Sequence, residues 1–340
     1  MSGRTVLVTG ASGVVGRAVA AELRDCRVIG LVHTDAAVPE VDEVLHSDLA
    51  QPWLGLGERR WRRLAAETDS IVHSGALTRW GQPYERYAAI NVEGTRRVAE
   101  LARAAGAPVH LQSTCFVHAL ERGAALSPTN VVTPYITSKL AAERVLADSG
   151  VPHSVFRPTN LVGDSRTGAS SQPQIVQQMS DWIARGKAPY VPVHPGNLID
   201  VAPLDVLAIA VVRAVQAQDT GGPYWVTYGA DAMTMEQTLD IIAEHARARG
   251  RDIGPTQVVD PDRPLPVPLD DIPPRSRAFL KVLIDVSEVT RGCGGVLPSS
   301  LPLLRERFGV PAASDTEAFR RSLEFWSAER DGTRQVVRAR

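Results

Sequence analysis

Residues 4–16 read RTVLVTGASGVVG: a β-branched run, three glycines spaced three apart, and the start of an apolar helical pattern. The run predicts a buried strand, and Val14–Leu23 predicts a helix behind it. Gly10, Gly13 and Gly16 form a G-x-x-G-x-x-G turn between the two. Glycine there permits a tight turn and lets backbone N–H groups approach a pyrophosphate at the helix N-terminus. The spacing departs from the usual G-x-G-x-x-G fingerprint, so the weight lies in its position between strand and helix. Gly10, Ser12, Gly13, Val14, Val15 and Gly16 are therefore candidate cofactor contacts.

The alternation continues outward. Segments 27–33, 70–76, 108–114 and 153–159 read as further buried strands, and 58–67, 91–105 and 135–147 as helices. Such alternation predicts an α/β fold, a Rossmann-type doubly wound parallel sheet with ligands beyond the carboxyl ends of its strands. After Pro158 the regularity fades. A polar loop (163–174), a helix (175–185) and a Pro-rich extended stretch (188–197) follow, then a strand and long apolar helix in 198–217. A strand in 221–229 and helices at 234–249, 274–285 and 314–329 complete the pattern. Residues 1–163 with about 198–228 are expected to form the NADP-binding domain. Residues 164–197 and 229–330 are expected to form a smaller, partly inserted substrate domain, and 331–340 a flexible tail.

The 340 residues carry a formal net charge of −1, with 44% hydrophobic and 22% charged side chains. That balance fits a globular enzyme and gives no sign of a nucleic-acid or membrane partner. No apolar run reaches membrane-spanning length and no signal segment is evident, so a cytoplasmic protein is expected. Cys26, Cys115 and Cys293 are too scattered for a disulfide framework, and no metal site is expected.

Strand two ends at His33, a cation-capable side chain that suits a 2′-phosphate, with Arg17 and Arg24 in reach. NADPH is the expected cofactor, while Asp35 keeps NADH as the lesser alternative. Asp48, followed by Leu49, sits where a carboxylate can accept from an adenine amino group. Tyr135 and Lys139 are four apart and share a helix face. Lys139 is one of three lysines among 37 basic residues, the others being Lys187 and Lys281. A nearby ammonium is expected to lower the phenol's pKa, and a compact amine can also reach ribose hydroxyls. Ser113 and Thr114 end strand five, where a hydroxyl can orient a carbonyl while Tyr135 acts as general acid.

These pieces, TGASGVVG (9–16), SDLA (47–50), IVHSGA (71–76), NVEGT (91–95), ST (113–114), Y-x-x-x-K (135–139) and RPTNLVG (157–163), resemble the extended short-chain dehydrogenase/reductases. Within them, 47–77 and 156–168 look like the thioester-reductase group, which includes terminal reductase domains of peptide synthetases and carboxylic acid reductases. The resemblance implies a Thr114–Tyr135–Lys139 triad, NADPH, and reduction of a carrier-protein-bound or small-molecule acyl substrate in secondary metabolism. It also implies cofactor contacts at Ser74, Gly75, Ala76, Pro158, Thr159 and Asn160. The arginine usual after strand two is His33 here. A homodimer is compatible with the sequence.

Other residues carry weaker signals. Arg166 is suited to a substrate anion or to tethering its loop. Trp80, Tyr84 and Tyr87 are placed to line the substrate mouth or to pack. Asn91 is expected to tie helix to sheet, His73 to be a satisfied core histidine, and Asp200 and Asp205 to brace the late helix. Three functions compete: a carbonyl reductase, a nucleotide-sugar epimerase with bound NAD, and a non-catalytic NADP(H) sensor. A dehydratase would need an Asp-Glu pair where Cys115-Phe116 stands.

Overall fold

The computed structural model describes residues 3–34 and 37–338. Its central sheet has seven parallel strands: β1 (Thr5–Thr9), β2 (Arg27–Val32), β3 (Glu43–His46), β4 (Ser70–His73), β5 (Val109–Gln112), β6 (His153–Pro158) and, after three short strands, β10 (Tyr224–Val226). Their spatial order is β10-β6-β5-β4-β1-β2-β3. The strand sequence thus runs outward in both directions from β1 and β4, and a crevice opens between their carboxyl ends. Every residue of β1, β4 and β5 is buried, as a sheet covered on both faces requires.

Helices cover the two faces. On one, α1 (Val14–Glu22) packs against α8 (Leu204–Ala217), joining Val6, Val8, Val19, Val206, Val211 and Phe156 in one core. On the other, α2 (Glu58–Glu67) and α4 (Glu93–Ala105) cover Leu7, Ile29, Ile71 and Val109, and α6 (Thr133–Asp148) packs beside α4. Short helices α3 (Tyr84–Tyr87) and α5 (Val117–Glu121) lie over the carboxyl edge between α2 and α6.

A second core lies beyond that edge. It is built from β7 (Asn160–Val162) paired with β9 (Val201–Pro203), β8 (Val191–Pro192) paired with β11 (Val258–Val259), and helices α7 (Ile175–Ala184), α9 (Met235–Ala248), α10 (Pro274–Gly292) and α12 (Asp315–Arg338). Helix α11 (Leu301–Phe308), within the stretch expected in the smaller domain, instead packs through Leu301, Leu304 and Phe308 on the first core. Its Pro302 and short apolar repeat hid it in the sequence. Helix α12 continues to Arg338, through the stretch expected as a tail from 331. Among the described residues no helix is long and apolar enough to cross a membrane.

The opening turn is fixed by close packing. Gly10 has φ +66°, and a Cβ there would lie 2.6 Å from Gly75 Cα. A Cβ on Gly16 would lie 2.2 Å from Gly10 O. In an ordinary helix, Gly→Ala stabilises by about 1 kcal/mol. Gly16→Ala should do the reverse and destabilise by about 1–3 kcal/mol through overpacking; urea unfolding that shows a gain would refute the packing argument.

His110 is fully buried in β5, shares a 2.8 Å hydrogen bond with Ser154 Oγ, and burial lowers its pKa to about 4. The unfolded chain, at about 6.5, takes up this proton first, so stability is full above that pH and falls as pH drops towards 4. His110→Asn should therefore lose about 2 kcal/mol less than the parent between pH 7 and 5. Equal losses, measured by urea unfolding at both pH values, would exclude this account.

Candidate active site

The glycine turn ends in α1, whose N-cap is Gly13 with no side-chain cap, so the first N–H groups of the helix face the crevice unmet by any side chain. Ser12, Val14 and Val15 are half-buried around it, and Gly13 N–H donates to Gly10 O at 2.9 Å. Across the crevice, Ser74 Oγ donates to Thr9 O at 2.6 Å and Gly75 N–H to Thr9 Oγ1 at 3.0 Å. Leu49 Cδ1 packs so tightly on Gly75 that a Cβ there would meet it at 2.9 Å. Half-buried Ala76 follows. This is a cradle in which glycine at 10 and 16 is a steric requirement, and it fits a dinucleotide's pyrophosphate.

One hydrogen-bond chain ties the cradle to α4. Thr95 Oγ1 donates to Asn91 O at 2.6 Å, so it accepts from His73 Nε2–H at 3.0 Å. His73 Nδ1 then accepts from Thr9 Oγ1 at 2.7 Å. Burial drives the His73 pKa down to about 3, so this buried, satisfied histidine is neutral. Asn91 sits in a wide turn, Ala88–Val92, that leads into α4. Its Oδ1 accepts from Leu77 N–H at 2.7 Å, and its Nδ2 donates to Leu77 O at 3.1 Å and Ser138 Oγ at 2.9 Å. Ser138 in turn donates to Tyr135 O at 2.7 Å. Asn91 therefore holds the strand-four loop and α6 together.

The adenosine side is more open. Asp48 Oδ1 accepts from Ala50 N–H at 2.8 Å. Asp48 N–H donates to Leu54 O at 2.9 Å, in a turn where Trp53 and Leu54 adopt left-handed φ values of 55° and 56°. That turn, stretched over Pro52–Gly55, was not legible in the sequence. His33 is exposed, with Nδ1 3.4 Å from Ser47 O. Arg17, expected within reach of a 2′-phosphate, is instead paired with Glu40 at 2.9 Å. Arg24 pairs with Glu22 at 3.5 Å on the surface. Asp35 lies outside the described residues.

Tyr135 and Lys139 are both buried on α6, at 8% and 4% exposure. Lys139 Nζ donates to Gln112 O at 2.5 Å. Burial lowers its pKa to about 8, with Glu143 acting in the opposite direction. The Tyr135 phenol is raised well above its ordinary pKa by burial and by Cys115, and a hydrogen bond with Thr114 only partly offsets this. The lowering expected from Lys139 is thus corrected: desolvation wins, and the phenol is held protonated. Ser113 donates to Glu143 Oε1, which leaves Thr114 as the hydroxyl beside Tyr135. Cys115 is buried, with its thiol pushed up by desolvation, and serves as packing.

Beyond β6, Cys115 N–H donates to Pro158 O at 2.9 Å. Thr159 Oγ1 and Asn160 Nδ2 both donate to Asp200 O, at 2.9 and 3.3 Å. The Asp200 carboxylate accepts from Tyr228 N–H and Gly229 N–H, both at 2.9 Å, and Asp205 accepts from Ser165. Asp205, in the first turn of α8, ties that helix to the loop at Ser165, while Asp200 braces the loop after β10. Arg166 tethers its loop through its backbone, while its side chain is exposed. Tyr87 is fully buried 6.1 Å from the Tyr135 ring, Trp80 packs in the same cluster, and Tyr84 is exposed. Val289, Cys293 and Leu297 from the distant C-terminal part complete that cluster. Asp285 and Glu288 on α10 hold Val131 and Ser127 N–H groups at 3.0 and 2.7 Å, just ahead of α6.

His194, Asp260 and Asp262 approach one another within 4.8 Å on the second core. Ser287 Oγ accepts from His194 N–H and Asn197 Nδ2, so its own proton goes to His194 Nδ1 at 2.8 Å. His194 Nε2 then carries a proton towards Asp262, which Arg291 also holds. The group is an ion-paired brace between α10 and the loop after β11.

Residues 37–211 match a family model described as male sterility protein. The chain is 29% identical over 239 residues to a linear gramicidin synthase from Brevibacillus parabrevis, covering 60% of this chain and 5% of that protein. It thus spans a small fraction of the length of such relatives. The terminal R domain from the myxalamid PKS-NRPS biosynthetic pathway superposes with a TM-score of 0.72 at 24% identity, covering 97% of this chain and 92% of that one. WbmH of Bordetella bronchiseptica, solved in complex with NAD+, gives 0.66 at 18% identity over 96% and 99% of the chains. With more than half of its 340 residues matched, the chain belongs to the NAD-binding family described as male sterility protein, NAD(P)-dependent oxidoreductases of the extended short-chain dehydrogenase/reductase type.

Proposed function

We propose that this protein is an NADPH-dependent carbonyl reductase that acts on a thioester, aldehyde or ketone in secondary metabolism. The observation that carries the reading is a buried Tyr135 beside Thr114, one helical turn from a buried Lys139 bonded to the last residue of β5. The glycine cradle, Asp48, Leu49 and Ser74–Ala76 would hold the dinucleotide, with Pro158, Thr159 and Asn160 bordering its nicotinamide end. When bound, the dihydronicotinamide supplies the hydride. Thr114 Oγ1 donates a hydrogen bond to the substrate carbonyl oxygen and orients it. Tyr135 Oη passes its proton to that oxygen as negative charge develops there. Lys139 provides the positive charge that favours the tyrosinate left behind.

The preference for NADPH rests on His33 at the end of β2. Delivery of the acyl group on a carrier protein is supported by the likeness to a synthase of many times this length. Tyr87, Phe116 and Leu297 around Tyr135 make the catalytic end of the site apolar, which suits an acyl chain.

Incubation with NADPH or NADH and a panel of acyl-carrier thioesters, aldehydes, ketones and nucleotide sugars tests the reading. Net NADPH oxidation, faster than with NADH, is the expected result. Sugar interconversion without net cofactor loss would make the protein an epimerase instead. Tyr135→Phe should lower turnover at least about 100-fold while NADPH affinity, followed by its fluorescence, stays close to that of the parent. A near-normal rate in that variant would remove Tyr135 as the acid.

A further inference from the structure

We propose that Glu143 is a positioning residue for Tyr135 and Lys139: it locks α6 in register with the end of β5 and supplies the counter-charge that keeps Lys139 an ammonium. The inference rests on reading that pair as the proton-transfer machinery.

Residues 135, 139 and 143 follow one another at four-residue intervals and share one face of α6. Lys139 grips Gln112 O, and Glu143 one turn on accepts from Ser113 Oγ. The last residue of β5 and the residue after it are thus held by two adjacent turns of the helix, and Thr114 is next in line. The Glu143 carboxylate is 9% exposed. Arg157 on β6 donates to it through Nε at 3.1 Å and Nη2 at 2.5 Å. The same guanidinium binds both oxygens of Glu121 on α5, at 2.9 and 2.6 Å, and lies 4.7 Å over the Trp225 ring. Lys139, Glu143 and Arg157 are buried, Glu121 is exposed at the edge, and the four charges sum to zero.

A brace alone would not need ions here, since buried ion pairs can often be replaced by apolar packing without loss. A counter-ion for a dry ammonium does need one. Lys139 bonds the uncharged Gln112 carbonyl on β5 and interacts with neutral His73 on β4 and with Glu143 one turn on along its own helix. Arg157 and Glu121 lie behind Glu143 and offset each other. Glu143 is therefore the acid that opposes the effect of burial on Lys139.

Lys139, Lys187 and Lys281 are the only lysines in the chain. Lysine labelled with 13C at Cε therefore gives three signals, assigned with Lys187→Arg and Lys281→Arg. In Glu143→Gln the titration midpoint of Lys139 should fall by about one pH unit or more, and the alkaline limb of kcat should move down with it. Ser113→Ala should lower kcat by about tenfold and leave the Lys139 midpoint in place; full kcat would overturn the register half. A Lys139 midpoint and kcat limb unmoved in Glu143→Gln, with only thermal stability lost, would overturn the counter-charge half. If the Gln variant does not fold, Glu143→Asp draws the charge back by one methylene and should still lower the midpoint; an unchanged midpoint there has the same force. The titration needs no substrate. A shifted midpoint in a protein without reductase activity would leave this inference standing and overturn only the proposed function.

Discussion

Lys139 puts an ammonium where almost no water reaches, and the surrounding structure answers that constraint. Its proton is met by the Gln112 carbonyl, Glu143 follows one helical turn on, and the charge of Glu143 is met by Arg157. Desolvating a charge is costly unless it is paired and hydrogen-bonded, so each member fixes the next. Because the partners come from β5, β6, α5 and α6, the demand of one side chain aligns four elements around the edge where Thr114 and Tyr135 meet.

The second organising contact is the near-collision of β1 and β4 at the centre of the sheet. Gly10 lies so close to the Gly75 backbone that a Cβ at position 10 has no room, and the Leu49 side chain packs against Gly75. The resulting crevice lies beside the uncapped start of α1. Thr9, His73, Thr95 and Asn91 carry this geometry by hydrogen bonds from the phosphate cradle to the helix that bears Tyr135. The glycine turn and the Tyr135 end of the crevice are thus joined by one hydrogen-bond chain.

The C-terminal part contributes a wall rather than chemistry. Helix α10 reaches back over α5 to pack Val289 and Cys293 beneath Tyr135, and its Asp285 and Glu288 pin the segment that leads into α6.

The sequence by itself determined the main strands of the central sheet, their parallel arrangement and the glycine turn, and it put Tyr135 and Lys139 on one helix face. Each of these is written in local spacing: unbroken β-branched runs, glycines at threes, and a tyrosine and lysine one helical turn apart. Even Glu143 was present in the pattern, as an acid one turn beyond Lys139 on a face that otherwise turns inward. Only the tertiary structure decided its role, because that depends on Arg157 and Ser113 arriving from two different strands. It also decided the direction of the Tyr135 shift, since burial outweighs any nearby charge and burial is a property of the assembled core. The pairing of Arg17 with Glu40, the placing of α11 and the left-handed turn at Trp53 and Leu54 were hidden for the same reason. They follow from which distant residues meet, and no local periodicity encodes that.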